Sequence, residues 1–211
     1  MAKQGQAPIL SKIEQKAVLN TFIGTPQEIR NRAIFLLSFR AGLRAKEIAM
    51  IKLSDFISPL SSKTISSKTT SGKTKYKNSA IKKTITLTKD VAKGGKISKA
   101  HIVDTELRKA LLDYINTWHS LYNRGVDTLI ITDKGTSFSP NTLQRLFLHM
   151  SKRSGYGFSS HSGRRSLCSI LINNDVNVFK VKSIMRHTNI ATTELYYEND
   201  EVMLGDIMAK L

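Results

Sequence analysis

Residues 25–47 read TPQEIRNRAIFLLSFRAGLRAKE, and this stretch decides the fold class. Thr25 and Glu28 stand three apart, the spacing of a helix capping box, and Pro26 falls at the first helical position, where its missing N–H costs nothing. Ile29, Ala33, Ile34, Leu36 and Leu37 follow at helical spacing. Gly42 is suited to closing the helix, because a glycine tolerates the left-handed conformation found just beyond a helix end. A further helix is expected from Ala45 to about Leu53.

The chain on either side continues the helical theme with one interruption. Upstream, Ser11 and Glu14 make a second capping box before Ala17, Val18 and Phe22. Downstream, residues 57–89 are rich in Ser, Thr and Lys, with no Asp or Glu before Asp90. Residues 57–83 read as a basic loop insertion, part of it mobile, in which Lys63, Lys68, Lys73, Lys75 and Lys77 are candidate contacts for a polyanion. Thr84–Thr88 reads as a strand, Lys93-Gly94-Gly95-Lys96 as a turn and Ala100–Val103 as the returning strand of a β-hairpin. Then come a helix capped by Thr105 and reaching about Tyr122, and a short strand at Thr128–Thr132. Ser139-Pro140 opens a helix with Leu143, Leu146 and Phe147 on one face, Ser160 precedes one holding His161, Arg164 and Leu167, and Asn177 starts one running through Val181 and Ile184. A last helix at about 200–211 carries Met203, Leu204, Ile207, Met208 and Leu211 in one stripe. With no alternating βαβ pattern, the expectation is a mainly α fold with a small β-hairpin or sheet (α+β), in a single domain over residues 1–211.

Composition narrows the function. The 211 residues carry a formal charge of +17, which points to a polyanionic partner, and 40% hydrophobic residues suffice for a core. Cys168 is the only cysteine, so an internal disulfide and a paired-cysteine metal site are both excluded. Cys168 lies among Leu167, Ile170 and Leu171 and reads as a small core residue. There is neither a signal-peptide pattern nor an apolar run of membrane-spanning length, so a reducing, cytoplasmic setting without membrane is expected.

Four short motifs remain: Gly42-Leu43-Arg44-Ala45-Lys46-Glu47, Lys93-Gly94-Gly95-Lys96, His161-Ser162-Gly163-Arg164, and His187 followed nine residues later by Tyr196, with Thr192-Thr193 between them. Each alone fits an ordinary cap, turn or surface pair. In this order, from about Leu10 to Tyr196, they resemble the catalytic domain of the tyrosine recombinases, the phage-integrase family, and the short length is similar to that of the fimbrial phase-switch recombinases. The resemblance implies a recombinase catalytic-domain fold, and the length leaves no room for the family's amino-terminal core-binding domain, as expected of a catalytic-domain-only enzyme or of a fragment. The resemblance also implies a site-specific enzyme that cleaves and rejoins double-stranded DNA through a 3′-phosphotyrosyl bond, without metal, cofactor or ATP.

The resemblance assigns the roles residue by residue. Arg44 and Arg164 clamp the non-bridging oxygens of the scissile phosphate, as planar, permanently charged guanidiniums can. Glu47, one turn from Arg44, orients it. Tyr196 is the nucleophile, and since a free phenol titrates near 10, His161 would accept its proton. His187 binds a phosphate oxygen, and Lys93 protonates the leaving 5′ oxygen, with Lys96 as the second choice. Arg165, often His in the family, and Arg186, usually Gly, join Lys96 among the expected DNA contacts. The family implies a homo-oligomer, a tetramer on DNA and a monomer or dimer off it, with the last helix either exchanged between protomers or packed on its own domain. The alternatives are a type IB topoisomerase-like nicking enzyme and a non-catalytic DNA-binding relative.

Overall fold

The computed structural model describes residues 6–58, 65–68, 74–92 and 96–194. Their elements run α1 (Lys12–Asn20), α2 (Glu28–Ala41), α3 (Ala45–Met50), α4 (Leu53–Phe56), β1 (Ile65–Lys68), β2 (Thr74–Tyr76), β3 (Thr84–Leu87), β4 (Ser98–His101), α5 (Thr105–Tyr114), α6 (Ser120–Tyr122), α7 (Pro140–Ser154), α8 (Ser162–Ile172), α9 (Val178–Met185) and α10 (Ala191–Glu194). The mainly α expectation holds, and among the described residues no helix is long and apolar enough to cross a membrane.

Helix α2 is the axis of the domain. Ala33 through Leu37 and Phe39 have no exposed surface, so this helix is apolar almost all round, as befits a central element. It packs against α5 and α8. Phe35 stacks on Phe39 with centroids 4.0 Å apart, and Phe158 meets both edge-on at 5.9 and 6.2 Å. Gly42 ends the helix in the left-handed region at φ 60°, as its place in the sequence predicts. The approach of α8 to α2 depends on Gly163, where a β-carbon would lie 2.2 Å from Ser38 Oγ and 2.7 Å from the Ser38 carbonyl carbon. A second, smaller core joins α8 to α9 through Cys168, Ile172, Val181 and Met185. Cys168 is fully buried there, and burial pushes its thiol up to about 11, so it is an inert core residue.

Several local expectations are corrected. The Ser11–Glu14 capping box is present, but the Thr25–Glu28 box is not. The Thr25 hydroxyl donates to Phe22 O, the Glu28 carboxylate accepts from Gly24 N, and the helix starts at Glu28. The helix expected to reach Leu53 stops at Met50; Ile51 turns extended and its carbonyl accepts from Leu129 N. Asp104, not Thr105, caps α5, its carboxylate accepting from Leu107 N at 2.8 Å. A π-helical turn at Ile115–His119 then carries the chain into α6, which ends at Tyr122 as expected. Leu129, Ile130 and Ile131 are buried as a strand would be, yet this segment makes only isolated bridges, Thr128 with Lys52 and Ile131 with Ser137, because the chain turns back at once through Thr132 and Gly135.

The described parts of the basic stretch include two strands not expected from the sequence. β1 and β2 pair antiparallel, Ser67 opposite Lys75 and Lys68 opposite Thr74. Asn116, on the π-helical turn, pairs with both backbone groups of Tyr76, accepting from its N–H at 2.8 Å and donating to its carbonyl at 2.9 Å. Arg108 on α5 donates to the carbonyls of Asn78, Ile81 and Ile102, tying this region to the helical body. The second hairpin pairs β3 with β4, Thr84 opposite His101 through Leu87 opposite Ser98, so the returning strand starts two residues before Ala100. Residues 93–95 of its turn, and the helix expected at 200–211, lie outside the described residues.

Candidate active site

Three helix ends converge beside the second hairpin. The α2–α3 junction contributes Arg44 and Glu47, α8 contributes Arg164, and the segment after α9 contributes Arg186 and His187. A cavity of about 500 Å³ opens above them, lined by Arg44, Ala92, Lys96–Lys99, His101, Ser183, Ile184, Arg186, His187 and Thr188.

Glu47 is the joint of the floor. Its side chain is 1% exposed, and its carboxylate accepts from the Arg44 backbone N–H at 2.8 Å, from Arg44 Nη1 at 2.6 Å and from Arg186 Nη2 at 3.0 Å. Burial would push this carboxyl up, but the Arg186 charge, the Arg44 N–H, and the Arg44 and Arg164 charges outweigh it and hold the group below its ordinary value. Arg164 is buried, and its two Nη groups donate to the carbonyls of Gly42 and Met185, which end α2 and α9. Helix C-termini carry partial negative charge, so these carbonyls are natural partners for a guanidinium.

His187 sits at the wall of the cavity with Nδ1 2.9 Å from Thr193 Oγ1. Burial first, then the charges of Arg164, Arg44 and Arg186, push its ring down to about 4, so it is neutral at physiological pH. A neutral imidazole has one donor and one acceptor, and the Thr193 contact occupies Nδ1, leaving Nε2 for a substrate.

The expected residues thus divide. Arg44, Lys96, His187 and Arg186 line one cavity, with Glu47 and Arg164 bearing on it from beneath. His161 occupies the N-cap position of α8, exposed and one turn before Arg164, and does not line this cavity. Lys93 and the nucleophile candidate Tyr196 lie outside the described residues, as do Lys63 and Lys73. Lys68 ends β1, while Lys75 and Lys77 are exposed on and just after β2. Two expected DNA contacts are bonded within the protein. Arg165 donates to Ala7 O and to Gln6 Oε1, fastening the segment before α1, and the Arg186 side chain is 5% exposed. His101, Thr193 and the inward role of Arg186 are absent from the sequence-based set. Thr193 had a signal in the Thr192-Thr193 pair of the motif, and position 186 had one for its backbone alone, since a position usually held by Gly implies left-handed backbone, and here φ is 55°.

The model of the phage integrase family matches residues 9–202. The chain belongs to that family. Among integrase-family relatives, it is 25% identical over 190 residues to tyrosine recombinase XerA of Thermococcus onnurineus (strain NA1), covering 89% of this chain and 56% of that protein. Its fold is that of a crystal structure of XerA recombinase, with TM-score 0.71 at 19% identity over 97% of this chain and 65% of the other. A crystal structure of XerH site-specific recombinase bound to palindromic difH substrate, a post-cleavage complex, gives TM-score 0.68 at 18% identity over 98% and 55%. The chain spans about half the length of the curated relatives it matches.

Proposed function

We propose that this chain catalyses site-specific DNA strand cleavage and rejoining, with Tyr196 as the nucleophile that forms a 3′-phosphotyrosyl bond. The observation that carries it is the cationic cavity, in which Arg44, Lys96 and His187 share one space above a floor where three guanidiniums face a single carboxylate. Such a site has excess positive charge in a partly desolvated setting, the environment that stabilises a phosphate gaining charge in the transition state. Tyr196 follows Thr193, the partner of His187, by three residues in sequence.

The chemistry then divides among the residues. Arg44 and Arg164 bind the non-bridging oxygens. With its proton on Nε2 and Nδ1 accepting from Thr193, neutral His187 donates to the phosphate. Lys93 or Lys96 protonates the 5′ leaving oxygen, and His161 takes the Tyr196 proton. Because the phosphodiester energy is kept in the phosphotyrosine, the 5′ hydroxyl can attack it in turn and rejoin the strand. Exchange between two duplexes takes four cleavages, so four copies would act together on DNA.

The test is trapping. The protein is incubated with nicked duplexes of randomised sequence, whose short 5′ product diffuses away and blocks rejoining, and run on a denaturing gel. A covalent protein–DNA band is expected. A shifted band on a native gel with no covalent product would mean a DNA-binding relative. Relaxation of supercoiled DNA with no exchange between duplexes would mean a nicking enzyme.

A further inference from the structure

Arg186 is held at two penalties. It adopts left-handed backbone with a side chain attached, and it buries its charge. Its Nη2 donates to Gly42 O at 2.8 Å and to Glu47 Oε2 at 3.0 Å, and its Nη1 to Ile184 O at 3.3 Å, while Nε is buried with no hydrogen-bond partner among the described residues. A side chain serving as a surface contact for DNA would reach into solvent. This one joins the end of α2 to the carboxylate that holds Arg44. Strain of this kind persists where the surroundings demand it, and it clusters at sites of chemistry.

Glu47 has two oxygens with different duties. Oε1 takes Arg44 Nη1, and Oε2 takes Arg186 and the Arg44 backbone N–H. Were Arg186 absent, only the Arg44 backbone N–H would anchor Oε2, and the carboxylate could pivot with Arg44 attached. We propose that Arg186 is a positioning residue for cleavage, locking the Glu47 carboxylate against the Gly42 carbonyl so that Arg44 meets the phosphate in one orientation. This rests on the DNA-cleavage function proposed above. Among the described residues, the charged groups bearing on both Glu47 and His187 are Arg44 before α3, Arg164 on α8 and Arg186 after α9, while Lys96, Lys99 and His101 line the same cavity as His187.

Arg186→Gly and Arg186→Lys are the informative variants. Glycine fits the backbone and removes the guanidinium; lysine keeps the charge but cannot span Gly42 and Glu47 with one planar group. Three quantities are measured for each folded protein: affinity for a nicked duplex, single-turnover cleavage at saturating duplex, and the His187 ring titration without DNA. Arg186→Gly is expected to bind within about twofold of wild type and to cleave about 10-fold more slowly at saturation, less than the 10²–10³ typical of losing a direct donor. Its His187 titrates at higher pH, since one neighbouring cation is gone. Arg186→Lys falls between Arg186→Gly and wild type in rate. Lost affinity with an unchanged saturated rate would make Arg186 a DNA contact and overturn the proposal. Wild-type rates in Arg186→Lys would overturn it as well, even if Arg186→Gly does not fold. Failure of the wild-type protein to form any adduct would sink the cleavage function and the proposal with it, whereas a normal wild-type adduct beside an unchanged saturated cleavage rate in folded Arg186→Gly would sink the positioning role alone.

Discussion

The floor of the cavity and the basic hairpin carry the same sign of charge in opposite ways. On the floor the cations are arginines, Arg164 and Arg186 with buried side chains and Arg44 half-buried, each bonded to a helix-end carbonyl or to Glu47. On and beside β2 they are lysines, with Lys75 and Lys77 exposed to solvent. A guanidinium offers a planar fork that fixes direction, whereas an ammonium on a flexible stem offers charge with little geometry. Under the proposed function, the contrast would give orientation of one phosphate to the floor and general attraction to many phosphates to the hairpin.

The largest effect that can break this division is expected on the floor. Arg44→Ala and Arg164→Lys should each slow cleavage by about 10²–10³ or more while leaving most DNA affinity, measured by trapping and band shift. Lysine is the better choice at Arg164, because alanine would take the side-chain donor from the Met185 carbonyl and leave Gly42 O to Arg186 alone. A variant cleaving within several-fold of wild type would remove that arginine from the phosphate clamp.

Next comes the packing that delivers Arg164. Gly163→Ala forces a β-carbon into Ser38, including its backbone carbon, so α8 must move away from α2. Destabilisation of about 1–3 kcal/mol is expected in urea unfolding. A change under about 0.5 kcal/mol, the ordinary range for surface positions, would show that the two helices separate freely.

Stability should also depend on pH through the floor. The folded His187 ring titrates at about 4, while in the unfolded chain it titrates near 6.5. As pH falls through 6.5 the unfolded chain takes up the proton first, so stability declines from there to about pH 4. His119, also lowered by burial against its bond to Thr128 O, adds in the same direction. His187→Gln should flatten the melting temperature profile between pH 7 and 4.5; an unaltered slope would mean that the His187 ring is not desolvated.

How much of this could be read from sequence follows from the range of each interaction. The Ser11 cap, Gly42 and the Ser139-Pro140 start were legible because each acts within one helical turn. The Thr25 box was not, because Phe22 O and Gly24 N, both upstream, captured its two side chains. The β1–β2 pair escaped because its docking rests on Asn116, 40 residues from Tyr76. In the site, the motifs name Arg44, Glu47, Arg164 and His187, and these four lie at or beneath one cavity. Arg186 was read as surface charge because its partner Glu47 lies 139 residues away, and nothing local marks a buried arginine.

The smallest effect belongs to the hairpin. Replacing Lys73, Lys75 and Lys77 with Gln should lower the salt slope of DNA binding by about 0.9 for each lysine that contacts a phosphate. Rejoining by an already trapped complex should barely change. An unchanged slope would put these lysines off the DNA and end the comparison drawn above.

The most direct measurement is mass spectrometry of the peptide left on DNA after a trapped complex is digested with protease. Adjacent Tyr196 and Tyr197 differ by one atom's worth of evidence: which phenolic oxygen carries the phosphate. The expected result is phosphate on Tyr196, an adduct retained in Tyr197→Phe, and none in Tyr196→Phe despite normal DNA binding. Phosphate on Tyr197, or an adduct that survives in Tyr196→Phe, would contradict the account.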